Sequence, residues 1–170
     1  DWSSDVCSSD LMTERYDLHI HSAISDGTQP LTELIPLIRK AGLTGFALTD
    51  HDTARGWSQA AELAGEYGLD FLPGGEFSCR YSYRDEQGHE RTKSVHLLGY
   101  GYDPDYPQLR DEMKRLLDDR LSRARRMADR LAADYPLTWD DVLAQSSDGE
   151  NTVFGRPHLA DALVAVGAAE

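Results

Sequence analysis

Two histidines two residues apart, His19 and His21, lie in the stretch Tyr16–Gly27, YDLHIHSAISDG. On a β-strand, residues i, i+2 and i+4 point to one face, so Asp17, His19 and His21 would line up there. Leu18 and Ile20 would then turn into packing. Two adjacent imidazoles can hold one first-row metal ion, and Asp26 can reach the same cleft from the following loop. Two solvated or hydrogen-bonded histidines would give the same pattern, and short motifs arise by chance. Three further groups of like chemistry follow: His51 within Thr49–Asp52 (TDHD), Glu76 after Gly74-Gly75, and His96 within Val95–Leu98. Each has an ordinary alternative. His51 can cap a helix, Glu76 can pair with an arginine, and His96 can be a hydrogen-bonded core histidine. Taken jointly, His19, His21, Asp26, His51, Glu76 and His96 make a mixed imidazole–carboxylate set that suits Mn, Fe or Zn rather than Ca or Mg. A carboxylate such as Glu76 can bridge two ions, and two-metal sites stabilise the attacking and leaving oxygens of phosphoester hydrolysis. Asp17 and Asp50 can accept the second N–H of ligand histidines and so fix their tautomers.

The elements that must present these groups alternate between strand and helix. After a first strand and the loop Ser22–Thr28, Leu31, Leu34, Ile35, Ile38 and Ala41 recur at helical spacing, with Pro30 in the first turn and Gly42 just past the end. Pro36 removes a donor in mid-helix, which predicts a kink or a late start. Leu43–Thr49 is a short apolar run typical of a buried parallel strand. A second helix is predicted over Ala54–Tyr67, and a third strand over Leu69–Pro73 leads into Gly74-Gly75-Glu76. Each repeat delivers acids or histidines just past a strand's C-terminal end, where α/β enzymes assemble their sites. The expectation is an α/β fold with a parallel sheet.

The rhythm then changes. Phe77–Arg84 and Thr92–Tyr100 flank a polar loop and read as a hairpin, with His96 inside its second strand. From Pro107 to Asp134 a long helix is predicted, with Leu109, Met113, Leu116, Leu117, Leu121, Ala124, Ala128 and Leu131 as its apolar stripe. Thr138 can cap a short helix over Trp139–Gln145, and Pro157 opens a last one that stops at Gly167. Residues 110–130 carry eight of the 17 basic residues against five acids, a basic stretch in a protein of net charge −13. That overall charge argues against a nonspecific grip on nucleic acid, although bound cations can reverse the local field for a phosphorylated substrate. No apolar run approaches the ~18 residues of a membrane span. The leader DWSSDVCSSDL at 1–11 has no periodicity, precedes Met12 and looks like a translated sequencing adapter, and disorder is expected there. Without its three acids the charge falls from −13 to −10, and Cys79 remains as the single thiol, which fits a reducing cytoplasm.

The stretches DLHIHSAISDG (17–27), LTDHD (48–52), PGGEFS (73–78), VHLLGY (95–100) and GRPHLADAL (155–163) together resemble the PHP (polymerase and histidinol phosphatase) family of metal-dependent phosphoesterases. The resemblance implies a distorted (β/α)7 barrel with three metal ions at its C-terminal pole. His19, His21 and Glu76 would hold one ion, Glu76 and His96 would serve a second, and Asp26 with His51 a third. The cofactors implied are two or three divalent ions (Mn, Fe or Zn). The nearest branch carries a helical insertion and is similar to nucleoside 3′,5′-bisphosphate phosphatases and 5′-to-3′ exoribonucleases. Arg120, Arg123, Arg156 and His158 would then contact substrate phosphate, arginine's planar fork suiting it. A solvated helix face laced with ion pairs is the alternative for the basic stretch, and is preferred for Arg110, Lys114 and Arg115.

The family's downstream histidine and Asp-x-His have no counterpart after His158. The expected organisation is therefore a non-native leader (1–11), an N-terminal barrel core (12–106) and a helical insertion (107–170), truncated before the remaining barrel. The expected function is hydrolysis of phosphate monoesters of nucleotides by a metal-activated hydroxide, with a small nucleotide or short RNA as partner. Neither a membrane nor a stable protein partner is evident. Histidinol-phosphate or another small phosphomonoester is the alternative substrate, and a metal-binding module without turnover is the alternative for this chain, which is expected to be inactive alone.

Overall fold

The computed structural model describes residues 14–146 and 148–169, so the expectation for the leader at 1–11 lies outside the described residues. The elements run β1 (Tyr16–Ile20), α1 (Leu31–Lys40), β2 (Gly45–Leu48), α2 (Trp57–Tyr67), β3 (Asp70–Arg84), β4 (Glu90–Tyr100), α3 (Pro107–Leu131), α4 (Trp139–Leu143), a 3₁₀ turn (Gly149–Asn151) and α5 (Arg156–Ala165). One four-stranded sheet has the order β1-β2-β3-β4, parallel across its first three strands and antiparallel between β3 and β4. The sheet curls, and the Tyr100 hydroxyl at the end of β4 donates to the Leu18 carbonyl of β1 across 2.8 Å.

Burial follows the predicted periodicities. All four residues of β2 are buried, as a central parallel strand requires. Leu31, Ile35 and Ile38 of α1 meet Phe46 and Leu48 of β2 and Ala60 and Ala64 of α2 in one apolar core. Pro36 does not interrupt α1. It forfeits one backbone bond, and the apolar face on either side of it holds the helix against the sheet. Gly42 and Gly68 sit in left-handed conformations just beyond the two helices, the positions at which glycine ends a helix most cheaply. A second core joins Ala124 and Ala128 of α3 to Leu137, Val142, Phe154, Leu159 and Ala162.

Three expectations need correction. The third strand does not stop at Pro73: β3 runs 15 residues without a break, pairing with β2 in its first part and with β4 from Gly74 to Arg84. Gly74 and Gly75 are therefore not a turn. A Cβ on Gly75 would lie 2.4 Å from the Tyr102 hydroxyl oxygen, so glycine is there because a side chain closes onto the backbone. Leu18 is 44% exposed rather than packed, because β1 is an edge strand. Helix α2 begins at Trp57, three residues later than predicted, after turns that carry Asp52 and Arg55.

Candidate metal centre

Three backbone segments converge at the C-terminal ends of the parallel strands. The first is the loop after β1. Its shape is set by Ala23 N–H to the Gln29 carbonyl (2.8 Å) and Gly27 N–H to the Ser22 carbonyl (3.0 Å). Buried Asp50 then ties this loop to β2, accepting from Ser22 N–H (2.8 Å), Ser22 Oγ (2.7 Å) and Ser25 Oγ (2.6 Å). Burial pushes the Asp50 carboxyl up, against the pull of the serine hydrogen bonds. The second segment follows β2. Glu76 N–H donates to the Asp50 carbonyl (3.3 Å) and Asp52 N–H to the Glu76 carbonyl (3.1 Å), which sets His51 beside Glu76 as an isolated parallel bridge. The third segment is β3 itself, paired to β4, which brings His96.

The side chains meet around Glu76. His19 Nε2 and His21 Nε2 lie 2.7 and 2.9 Å from its Oε2, His51 Nδ1 lies 4.0 Å from that oxygen, and His96 Nδ1 contacts Oε1. Asp26 stands on the other side, with Oδ1 3.1 Å from His21 Nδ1 and Oδ2 3.5 Å from His51 Nε2. Ring centroids of the pairs His19–His21, His21–His51 and His51–His96 are 5.1, 4.7 and 4.9 Å apart. The six groups divide into three overlapping sets, His19/His21/Glu76, His21/Asp26/His51 and His51/Glu76/His96, each with donor atoms within 4.8 Å of one another.

The electrostatics call for cations here. Burial opposes ionisation of Asp26, but hydrogen bonds and charge from His21 and His51 hold its carboxyl far below the usual carboxylate range. Glu76 is likewise lowered, burial again opposing, by His19, His51, His96 and His21. His21 is raised against its own burial by Asp26, Glu76 and Asp50. His51 Nδ1 is buried without a hydrogen-bond partner, a lone pair or proton left unused at considerable cost in a purely structural cluster. Mixed imidazole and carboxylate donors around such an atom fit divalent transition metals.

Asp17 and Asp50 do not take the places expected of them. Asp50 is occupied by the serines, and Asp17 accepts the His19 backbone N–H at 3.0 Å. The Arg120 guanidinium, expected at substrate phosphate, is spent on groups inside the protein. Nε donates to Asp52 Oδ2 (2.6 Å), Nη2 to Ser78 Oγ (2.6 Å) and Nη1 to the Phe154 carbonyl (3.5 Å). His158 is buried and neutral-leaning, lowered by desolvation, with Nδ1 accepting from Gly155 N–H at 3.1 Å at the start of α5.

Arg123 and Arg156 remain exposed, without a hydrogen bond or ion pair among the described residues. Partial burial and the charges of Arg120, Arg156 and Arg80 lower the Arg123 pKa, Asp52 opposing. Sequence reasoning had passed over Arg80, Ser78 and Asp52. The spacing of Glu76, Ser78 and Arg80 along β3 was a usable signal, since it puts all three on one face.

Known proteins similar to this chain point the same way. A 5′-3′ exoribonuclease of Haemophilus influenzae is 34% identical over 157 residues, 92% of this chain and 53% of that protein. A 3′,5′-nucleoside bisphosphate phosphatase of Chromobacterium violaceum is 35% identical over 153 residues, 89% of this chain and 50% of that protein. The chain thus spans about half the length of the curated relatives it matches. A solved structure from Bifidobacterium adolescentis, assigned to the metal-dependent phosphoesterases, superposes with a TM-score of 0.79 at 42% identity, over 91% of this chain and 51% of that one. Residues 17–124 match the PHP domain model, a span that takes in all six residues of the cluster, and the chain belongs to the PHP-domain family.

Proposed function

We propose that this chain forms the metal-holding part of a phosphoesterase acting on phosphate monoesters of nucleotides. The observation that carries it is Glu76, whose carboxylate is shared among four imidazoles while Asp26 closes the opposite side. His19, His21 and Glu76 would hold one ion, His51, Glu76 and His96 another, and His21, Asp26 and His51 would complete the group. Divalent ions bound there, manganese first among those to try, supply Lewis-acid stabilisation to the oxygens entering and leaving phosphorus. The protein's own residues do the rest. Glu76 and Asp26, kept ionised by their histidines, present negative donors at neutral pH. Arg123 and Arg156 offer unspent planar forks to a phosphate other than the one being cleaved. That division suits a nucleoside 3′,5′-bisphosphate or the 5′ end of a short RNA, and the names of the relatives support it. The reducing cytoplasm, where Cys79 stays a free thiol, is the proposed setting.

The test compares phosphate release from a nucleoside 3′,5′-bisphosphate, a 5′-phosphorylated short RNA and a simple monoester, with added Mn²⁺, using both the 170-residue chain and a longer gene product. Metal-dependent release with preference for the first two supports the proposal. Equal rates on all three would return the protein to a general phosphomonoesterase. Metal binding without release by either form would make it a binding module.

A further inference from the structure

Two of the three backbone segments of the centre are bonded by one side chain that lies outside it, and the third is reached through the residue next to its remaining contact. Asp52, next to His51, is fully buried and carries the only positive φ among the described non-glycine residues, +51°. Its carboxylate accepts Ser78 N–H at Oδ1 (2.7 Å) and Ser78 Oγ–H at Oδ2 (2.8 Å), two residues along β3 from Glu76. Arg120, 7% exposed and standing on α3, completes this pair through Asp52 Oδ2 and Ser78 Oγ. Its third contact is the Phe154 carbonyl, immediately before Gly155. Gly155 in turn lies against Asp26, for a Cβ there would stand 3.2 Å from Asp26 Cβ and 3.3 Å from Oδ2. One buried guanidinium therefore joins the segment carrying His51, the strand carrying Glu76 and the backbone that abuts Asp26.

We infer that Arg120, with Asp52 and Ser78, is a positioning residue that sets the separation of His51, Glu76 and Asp26, so that helix α3 tunes the metal affinity of a centre it does not enter. This rests on the metal-binding reading given above. The physical argument is geometric. A planar fork fixes the relative position of the groups it bonds, whereas a lysine or a water at the same place would bond them singly. Supports of this kind around ligands change metal affinity ten- to a hundredfold when removed. A buried charge pair held only for stability would instead show its loss throughout the fold.

The experiment titrates Mn²⁺ into the metal-stripped 170-residue chain by calorimetry. In parallel, ¹H–¹⁵N imidazole spectra of the metal-free protein are recorded at one pH. Arg120→Gln is expected to bind Mn²⁺ about ten- to a hundredfold more weakly and to shift the His51 and His96 imidazole signals. Arg126→Gln, an exposed change on the same helix, should leave both as in wild type. Because Arg120→Gln strands Asp52 without its cation, the double variant Asp52→Asn/Arg120→Met, which removes both charges, is measured beside it and should show the same two changes. Wild-type affinity with unshifted signals in either folded variant would overturn the inference. So would unfolding of both, which would make the pair a general prop of the fold. A wild-type chain that bound no Mn²⁺ would overturn the metal reading instead, and the imidazole spectra alone would then decide the role of Arg120.

Discussion

Substituting Gly75 by alanine tests how tightly the strand that carries Glu76 is packed. The added methyl would meet the Tyr102 hydroxyl oxygen at 2.4 Å, with the next atoms, Cζ and Cε1, at 3.3 and 3.5 Å. Tyr102 cannot simply swing away, because its ring is held between Trp57 (4.7 Å) and Phe77 (5.1 Å). Overpacking of this kind costs about 1–3 kcal/mol. Removing glycine's freedom in the unfolded chain returns about 0.4–1 kcal/mol, and the backbone at Gly75 lies outside the left-handed region, so alanine adds no strain of its own. At the middle of these ranges the net loss is about 1.3 kcal/mol, or roughly 3–5 °C in Tm for a chain of this size. Tyr102→Phe removes the obstructing oxygen. That hydroxyl is buried without a partner, and burial with the nearby Asp52 charge pushes its pKa up to about 12, so its loss should be neutral or stabilising. In the Tyr102→Phe background, Gly75→Ala should be neutral within about 0.5 kcal/mol, which a double-mutant cycle reads directly. An equal cost of Gly75→Ala in both backgrounds would refute the packing argument.

Arg123→Ala should lower kcat/KM for a nucleoside 3′,5′-bisphosphate about ten- to a hundredfold, the loss of one charge-assisted contact of about 1.5–3 kcal/mol, while leaving a simple monoester unchanged; an equal drop on both substrates would make the arginine structural. His158→Gln tests a pH dependence. The folded-state pKa of His158 is held below its ordinary value by burial, Asp26 partly opposing, so the unfolded chain binds more protons below about pH 6.5. Stability from the neutral ring is thus present above that pH and is lost as pH falls through the folded value. Melting curves from pH 7 to 5 should fall more steeply for wild type than for His158→Gln, and parallel curves would contradict the assignment.

Much of the centre was legible because it depends on residue type and short spacing. His19 lies near the end of the edge strand β1 and His21 just past it, and His51, Glu76 and His96 follow at strand ends or within strands, so local pattern sufficed to place all six groups at one pole. What pattern could not convey was long-range closure. Gly74-Gly75 signals a turn as readily as a close approach, and only Tyr102, 27 residues on, decides between them. Asp50 was read as an acceptor for the N–H of a ligand histidine and not as the partner of Ser22 and Ser25, which come from a different loop. Arg120 was read with Arg123 as a phosphate contact, although its position carried a warning. Met113, Leu117, Arg120, Ala124 and Ala128 fall on one helical stripe, and of these Met113, Arg120, Ala124 and Ala128 are buried. A cation on an apolar stripe points inward and needs an internal partner, which Asp52 supplies.

The central claim is that Glu76 is shared between metal ions that the surrounding histidines and Asp26 hold in place. The most direct measurement is the amount of Mn²⁺ retained per chain, by elemental analysis after reconstitution and desalting, for wild type, His19→Ala and Glu76→Ala. His19 belongs to one of the three donor sets and Glu76 to two of them. The account predicts that both variants retain less Mn²⁺ than wild type and that Glu76→Ala retains less than His19→Ala. Retention by Glu76→Ala equal to that of wild type would contradict it.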